Sequence, residues 1–290
     1  MTIRQVERII KTTEVTEGAG VTVHRSIGTS ALRNLDPFVM LDHFGSDNPD
    51  EYIAGFPEHP HRGFNTFTYM LDGNMEHRDS MGNTGNLTAG SAQWMKAGSG
   101  VIHSEMPKQV DGLMRGFQLW INLPASSKMT EPSYQEYAPE YFPVYEAEGQ
   151  KVKVLLGQYQ GVEGPIDDAY TNVSYFDVEL NSGKDFDHVI SGDLTAFIYL
   201  FEGDIQIDGK DIKQHSFVNL GIGKNGKGDK LVVSAISEQA RFILVAGRPI
   251  GEPIVQYGPF VMNSQAEVHQ AMADYRDGKL VQQKAEFISA

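Results

Sequence analysis

The stretch Phe56-Pro-Glu-His-Pro-His-Arg-Gly-Phe64 holds two histidines one residue apart, His59 and His61. A second pair with the same spacing follows in His103-Ser104-Glu105. In an extended strand, residues i and i+2 point to the same face of the sheet. If the two strands face each other, three imidazole nitrogens and one carboxylate oxygen converge on one point, as the ligands of a divalent transition metal do.

The competing interpretation is a set of surface histidines on loops, and one His-x-His pair alone would fit it equally well. Two pairs, each in a β-like segment close to glycines, favour a metal site on a β scaffold. The chain contains no cysteine. The ligands must therefore be nitrogen and oxygen atoms, a set that favours iron, manganese, nickel, copper or zinc.

Several segments of the chain resemble those of the pirin family of the cupin superfamily. They are the stretch quoted above, Gln93-Trp-Met-Lys-Ala-Gly98, Ile102-His-Ser-Glu-Met-Pro107, Gln118-Leu-Trp-Ile-Asn-Leu-Pro124 and Gly258-Pro-Phe-Val-Met-Asn263. The resemblance covers nearly the whole chain. It implies an all-β bicupin fold, with two tandem antiparallel β-barrels (double-stranded β-helices) and a few short helices, including one at the C-terminus.

The resemblance also implies which residues bind the metal and which metal it is. Iron is expected in the N-terminal barrel, with manganese, nickel, cobalt, copper and zinc as alternatives. Its ligands would be the positions that match the family: His59, His61, His103 and Glu105. Many cupins carry a glutamate ligand four residues after the second histidine, where this chain has Asn65. We therefore interpret Glu105 as the fourth ligand and Asn65 as a hydrogen-bonding group behind the ligands.

The second half of the chain repeats part of the first at an offset of 130 positions: Phe67, Tyr69 and Gly73 recur as Phe197, Tyr199 and Gly203. At this offset the four candidate ligands become Val189, Ser191, Val233 and Ala235, although a small insertion would shift the register. The polar, proline-containing segment from Ser126 to Pro143 separates the halves. We predict a metal-binding barrel in residues 1–130, and a second barrel without metal ligands in residues 131–290.

Composition and charge exclude several other roles. The net charge of −14 argues against non-specific binding to nucleic acid, which requires clustered cations. Met1 to Thr16 contains no apolar run like that of a signal peptide, and the longest strongly apolar stretch, Phe242 to Ala246, is too short to span a bilayer. We expect a soluble cytoplasmic protein, or a nuclear one in a eukaryote, without direct contact to nucleic acid or membrane.

The remaining histidines have no paired spacing. His24, His77, His215 and His269 are interpreted as exposed or structurally hydrogen-bonded, whereas His43 stays open because its segment could lie at the barrel mouth. Near the C-terminus, Ser264-Gln-Ala-Glu267 is a capping box that opens a helix. We expect this helix to end at Gly278 and to cover an edge strand with an apolar face of Val268, Ala271, Met272 and Tyr275.

Two classes of function follow from such a site. The resemblance implies a dioxygenase of the quercetin 2,3-dioxygenase type, which opens a flavonol or similar phenol with O2. Glu105 has two candidate roles at such a site, as a metal ligand only or also as the catalytic base that takes the proton of the substrate hydroxyl. The alternative is an iron-responsive regulator that acts through a protein partner, with Arg62 on the partner surface or in a salt bridge. A metal-binding scaffold without activity is a third reading.

Overall fold

The computed structural model describes residues 2–221 and 228–282, and its secondary structure is 56% strand and 8% helix. The strands are β1 (Thr2–Ile3), β2 (Gln5–Lys11), β3 (Thr13–Glu17), β4 (Val21–Ile27), β5 (Phe38–Ser46), β6 (Phe56–His61), β7 (Phe64–Asp72), β8 (Asn74–Asp79), β9 (Thr84–Thr88), β10 (Ala92–Lys96), β11 (Val101–Pro107), β12 (Met114–Asn122), β13 (Ser133–Tyr137), β14 (Val144–Ala147), β15 (Gln150–Leu156), β16 (Gln158–Tyr159), β17 (Val162–Glu163), β18 (Ser174–Asn181), β19 (Asp185–Val189), β20 (Thr195–Glu202), β21 (Ile205–Ile207), β22 (Lys210–Ile212), β23 (Ser216–Gly221), β24 (Gly228–Ala235), β25 (Gln239–Gly247), β26 (Val255–Tyr257) and β27 (Phe260–Met262). Short 3-10 helices cover Pro49–Glu51, Ala125–Ser127 and Pro139–Tyr141, and helix α1 covers Gln265–Arg276.

Each of the two barrels consists of a seven-stranded antiparallel sheet and a smaller sheet. In the first barrel the strand orders are β13-β10-β7-β12-β5-β4-β3 and β6-β11-β8-β9. In the second they are β2-β23-β20-β25-β18-β15-β14 and β19-β24-β21-β22, with β1 added in parallel beside β24. The strands that carry the repeated sequence, β7 and β20, occupy equivalent positions. The predicted all-β fold of two cupin-type barrels is confirmed.

The two compact units exchange their terminal segments. One consists of residues 13–139 together with the chain from Ile250 onwards, and the other of residues 1–12 with 140–249. In the second unit, β2 takes the edge position that β13 takes in the first. The predicted division, 1–130 and 131–290, has two continuous segments and no exchange of termini. Pairing between strands far apart in sequence leaves no pattern in any single segment, so the exchange could not be predicted from the sequence.

The interior of the second barrel is filled with apolar side chains. In the first barrel His59 lies opposite His103, and in the second Phe186 lies opposite Val233. The fixed offset of 130 had instead aligned His59 with Val189, so the register slips at this point. Phe186 and Val233 are fully buried in the apolar core, where each contributes roughly 1.5–3 kcal/mol.

Helix α1 begins as predicted, because the Ser264 hydroxyl accepts a hydrogen bond from the Glu267 backbone N–H. It covers edge strands, as expected, but with a narrower apolar face. It lies against β26 and β27 in the unit of the first barrel, and only Val268 and Ala271 are buried. The predicted apolar face is therefore too wide, since Met272 and Tyr275 are 39% and 42% exposed.

Within residues 2–221 and 228–282, no helix is long and apolar enough to cross a membrane.

Candidate metal centre

Three histidines meet inside the first barrel. Strands β6 and β11 pair antiparallel, with His59 opposite His103 and His61 opposite Val101. The ring centroids lie 4.3 Å apart for His59 and His103, 4.7 Å for His59 and His61, and 4.9 Å for His61 and His103. One nitrogen of each ring lies within 4.8 Å of the others. The i,i+2 spacing of the sequence is thus realised as a convergent cluster.

The turn after His61 is held in place by close backbone contacts. Gly63 has a φ of +91°, and a Cβ at this position would lie 2.1 Å from the Val261 carbonyl oxygen. The buried Lys128 ammonium donates to the carbonyls of Gly63 (2.7 Å) and Val261 (2.8 Å). Since only glycine adopts this backbone freely, the Gly63 position decides where β6 stops.

The turn at Gly63 separates β6 from β7, so residue 65 does not face the same side as His61, as it would in one unbroken strand. Phe64 contacts the rings of His61 and Trp120, at centroid distances of 5.1 and 4.3 Å, so it faces the site. Asn65, the next residue of β7, therefore faces the opposite side of the sheet. The interpretation of Asn65 as a hydrogen-bonding group behind the ligands assumed an unbroken strand and is wrong.

The histidine nitrogens suit a metal ion. The Nδ1 of His59 donates to the Pro57 carbonyl at 2.8 Å, which leaves its Nε2 with a lone pair. Among the described residues, Nε2 of His103 is buried without a hydrogen-bond partner, and the two buried ring nitrogens of His61 have none beyond one backbone contact with Pro259. Unpaired buried nitrogens are costly unless something binds them. The donor set therefore fits a divalent ion, which would satisfy these atoms.

Burial keeps two of these rings neutral. It lowers the pKa of His61 well below the ordinary value, and the neighbouring His59 adds to this effect. The pKa of His103 is lowered in the same way, by burial and by the three histidines around it, His59, His61 and His77. Both rings are therefore neutral at pH 7 and can offer lone pairs to a metal without first losing a proton.

Glu105 lies beside this cluster but does not close it completely. Its carboxylate groups with His77 and His103, whereas the four predicted ligands do not all fall within the 4.8 Å that groups the three histidines. Its Oε1 accepts hydrogen bonds from the Gln93 amide and from the Thr68 hydroxyl (3.2 Å). Glu105 is therefore buried next to the histidines, and hydrogen bonds hold its carboxylate in place.

His77 and Asp79 belong to the site although the sequence interpretation set His77 aside as isolated. Both side chains are fully buried, and His77 lies between His103 (Nδ1 to Nδ1, 3.4 Å) and Asp79 (Nε2 to Oδ2, 3.4 Å). Burial acts to raise the pKa of Asp79, but hydrogen bonds from His77 and Asn83 hold it below its ordinary value. The signal for these residues was His77-Arg78-Asp79, a further pair at i,i+2.

Two other residues singled out in the sequence lie away from the cluster. His43 stacks on Phe117, with ring centroids 4.8 Å apart, and does not line the cavity described below. Arg62 is 1% exposed, pairs with Asp274 at 2.6 Å and donates to the Ser99 carbonyl. The salt-bridge reading of Arg62 is thus correct, and its place on a partner surface is excluded by burial.

A cavity of about 960 Å³ opens beside the histidines. His59, His61 and Glu105 line it together with apolar side chains that include Trp120 and Phe44. The segment 254–259, which includes the hairpin strand β26, forms another part of its wall. Ligand pockets for small organic molecules have volumes of roughly 300–1,000 Å³, so the size of this cavity suits such a ligand.

Two cupin-type barrels, with a histidine cluster and a cavity in one of them, define this chain as a bicupin with a candidate metal centre. The chain belongs to the pirin family. Residues 20–121 match pirin, and residues 175–281 match the pirin C-terminal cupin domain.

Relatives and solved structures agree with this assignment. A pirin-like protein of Caulobacter vibrioides is 43% identical over 281 residues, covering 96% of this chain and 100% of the relative. A Pseudomonas aeruginosa protein, provisionally named as a quercetin 2,3-dioxygenase, is 45% identical and covers 91% of this chain and 93% of its own length. A crystal structure of quercetin 2,3-dioxygenase from Acinetobacter baumannii matches with a TM-score of 0.88 and 29% identity, over 96% of this chain and 99% of that one.

Proposed function

We propose that the chain binds one divalent transition metal, iron, through His59, His61 and His103, with Glu105 as the fourth ligand. The proposal rests on the three converging imidazoles, two of which are fully buried and neutral, with the nitrogens described above available to a metal. The Glu105 carboxylate already groups with His103, one of these three histidines. Nitrogen and carboxylate ligands of this kind suit iron, and also manganese, cobalt, nickel, copper and zinc.

We propose further that this site opens the ring of a flavonol with O2, as a quercetin 2,3-dioxygenase does. The names of the relatives and of the A. baumannii structure support this activity. The cavity beside the cluster has the size that a planar phenol requires, and Trp120 and Phe44 give it apolar surface for the rings. A redox-capable metal, when bound, supplies a coordination sphere in which the flavonol and dioxygen can meet.

The protein's own residues would position and deprotonate the substrate. Glu105 lines the cavity and is the carboxylate that could take the proton of the flavonol hydroxyl. The hydrogen bonds from Gln93 and Thr68 hold this carboxylate in one orientation. Trp120 and Phe44 add apolar surface to the same cavity, and a less aqueous site strengthens electrostatic interactions at the reacting groups.

The test is a turnover assay in air with the metal-loaded chain. We expect quercetin to lose its flavonol absorbance and carbon monoxide to be released. The doubly substituted variant His59→Ala, His61→Ala, treated with the same metal, is the control and should do neither. Reversible iron binding that leaves quercetin unchanged under every metal tried would contradict the dioxygenase and favour the regulator. The buried position of Arg62 removes the residue that had pointed to a partner surface.

A further inference from the structure

Strand β8 brings a second pair of polar side chains against β11. In the pairing of these strands, His77 lies opposite Glu105 and Asp79 lies opposite His103. The His77 and Asp79 side chains are fully buried. Buried ionisable groups persist only where they are hydrogen-bonded, so the protons that connect these side chains can be assigned from their partners.

The Asp79 carboxylate is held in place mainly by backbone N–H groups. Asp79 accepts hydrogen bonds from the backbone N–H groups of Met81 (2.9 Å) and Asn83 (3.0 Å) and from the Asn83 amide (2.8 Å). An ionised carboxylate can only accept, so the Nε2 of His77, 3.4 Å from Asp79, carries a hydrogen. The Nδ1 of His77 is then the ring nitrogen that faces His103.

The contact between the two rings gives His103 a partner for only one of its nitrogens. The two Nδ1 atoms lie 3.4 Å apart, and His103 donates from its Nδ1 to His77 when its Nε2 lone pair is offered to the metal of the proposed function. A neutral His103 with hydrogen on Nδ1 has its lone pair on Nε2. That nitrogen is the one that is buried without a hydrogen-bond partner among the described residues.

His77 is also linked to Glu105, the second candidate ligand on β11, through Tyr134 and Gln93. The His77 ring stacks on Tyr134, with centroids 4.3 Å apart and an interplanar angle of 12°. The Tyr134 hydroxyl lies 3.2 Å from the Gln93 amide oxygen, and Gln93 donates to Glu105. His77 is thus held in place by packing as well as by Asp79.

We propose that His77 and Asp79 are positioning residues that lock His103 in the Nδ1-protonated tautomer and aim its Nε2 at the metal. This inference rests on the metal site of the proposed function. Metal-binding histidines usually donate their other ring N–H to a fixed acceptor, and loss of that acceptor costs roughly 10–100-fold in metal affinity. Here the acceptor is a second imidazole, itself oriented by a carboxylate.

The first experiment reads the tautomer without any metal. Nitrogen-15 NMR of the metal-free protein at pH 7 should show His103 protonated on Nδ1 and His77 protonated on Nε2. Observation of His103 protonated on Nε2 in the wild-type protein would overturn the proposal. Because no metal or substrate is present, this result is independent of whether the chain binds iron or turns over quercetin.

The second experiment measures Fe(II) affinity by anaerobic competition with a chelator. His77→Phe keeps the ring volume and the stacking on Tyr134 but removes the acceptor, and we expect a 10–100-fold loss. His77→Gln can still accept through its amide oxygen and should stay within about threefold of the wild type by the same reasoning. Asp79→Asn should fall between these variants.

The matched control is Arg78→Gln, which changes the exposed residue between the two on the same strand and should leave the affinity unchanged. If His77→Phe is unstable, two results still test the positioning role of His77 and Asp79. One is the Fe(II) affinity of Asp79→Asn relative to that of His77→Gln, and the other is the tautomer of His103 in the wild-type protein. Unchanged affinity in His77→Phe would overturn the proposal. So would a second bound ion per chain held by His77, His103 and Glu105, because His77 would then be a ligand itself.

Discussion

Glu105 is the residue at which binding and proton transfer can be separated. Replacement by glutamine keeps its shape and its contact with Thr68 but removes its charge and basicity. If Glu105 is the catalytic base, quercetin turnover per bound metal in Glu105→Gln should fall on the order of 10²–10⁴-fold. Turnover is measured at saturating iron and divided by the metal content, so that weaker metal retention does not enter the result.

The matched control for this substitution is Glu146→Gln, since Glu146 is exposed in the second barrel. It should leave the turnover unchanged. Near-normal turnover per metal in Glu105→Gln would show that the carboxylate is a ligand only and that another group takes the proton.

The buried histidines also make a prediction about pH. His61 and His103 have pKa values well below those of the unfolded chain, so below about pH 6.5 the unfolded state binds protons that the folded state does not. The metal-free protein should therefore lose stability as pH falls from 6.5 to 5.5. Each imidazole contributes up to about 1.4 kcal/mol per pH unit.

Urea denaturation at several pH values measures this slope. The His103→Phe variant has one such imidazole fewer, and its stability should depend less steeply on pH over the same interval. An equal slope in the wild type and the variant would mean that His103 is protonated in the folded state and would contradict the assigned neutral ring.

At the scale of single elements, helix α1 is attached to the first barrel by one buried ion pair. Arg62 follows the histidines of β6 directly, and its partner Asp274 lies near the end of the helix. Asp274→Ala leaves the buried guanidinium without its carboxylate. We expect Asp274→Ala to lower the free energy of unfolding by about 2 kcal/mol. This loss is smaller than for a fully buried pair, because the Asp274 side chain is 14% exposed.

Asp277→Ala is the control for this variant, because Asp277 pairs with Arg276 at the surface of the same helix end. Chemical denaturation of both variants should show a clear loss for Asp274→Ala and little change for Asp277→Ala. Equal stabilities would mean that the pair with Arg62 does not hold the helix.

The same elements show what the sequence could predict. The spacing of His59 with His61 and the cap at Ser264 are local patterns, and the structure has both as predicted. The role of His77 depends on β8 lying beside β11, a pairing that no single segment contains. The face of Asn65 depends on one interruption at Gly63, which the alternation of polar and apolar residues does not reveal.

For the whole molecule we predict one tightly bound transition metal per chain, in the first barrel. The two groups of metal-binding side chains found in residues 2–221 and 228–282 both lie there and share His103. The second barrel has Phe186 and Val233 at the paired positions of His59 and His103. Elemental analysis should give one ion for the wild type and none after His59→Ala with His61→Ala. Two ions per chain, or metal retained in that variant, would contradict this.

The exchange of terminal segments sets an order of events during protein synthesis. The ribosome makes the histidine strands early, but the segment that walls their cavity, 254–259, only after the whole of Glu140–Pro249. Segment 254–259 begins 149 residues after Glu105 (254 − 105), so at ordinary translation rates of about 5–20 residues per second the delay lasts roughly 7–30 s. During that interval the nascent first barrel has its metal ligands but lacks one wall and the partner of Arg62. We expect newly made protein to pass through a stage in which its histidines are more open to metal ions in the surroundings than in the finished fold.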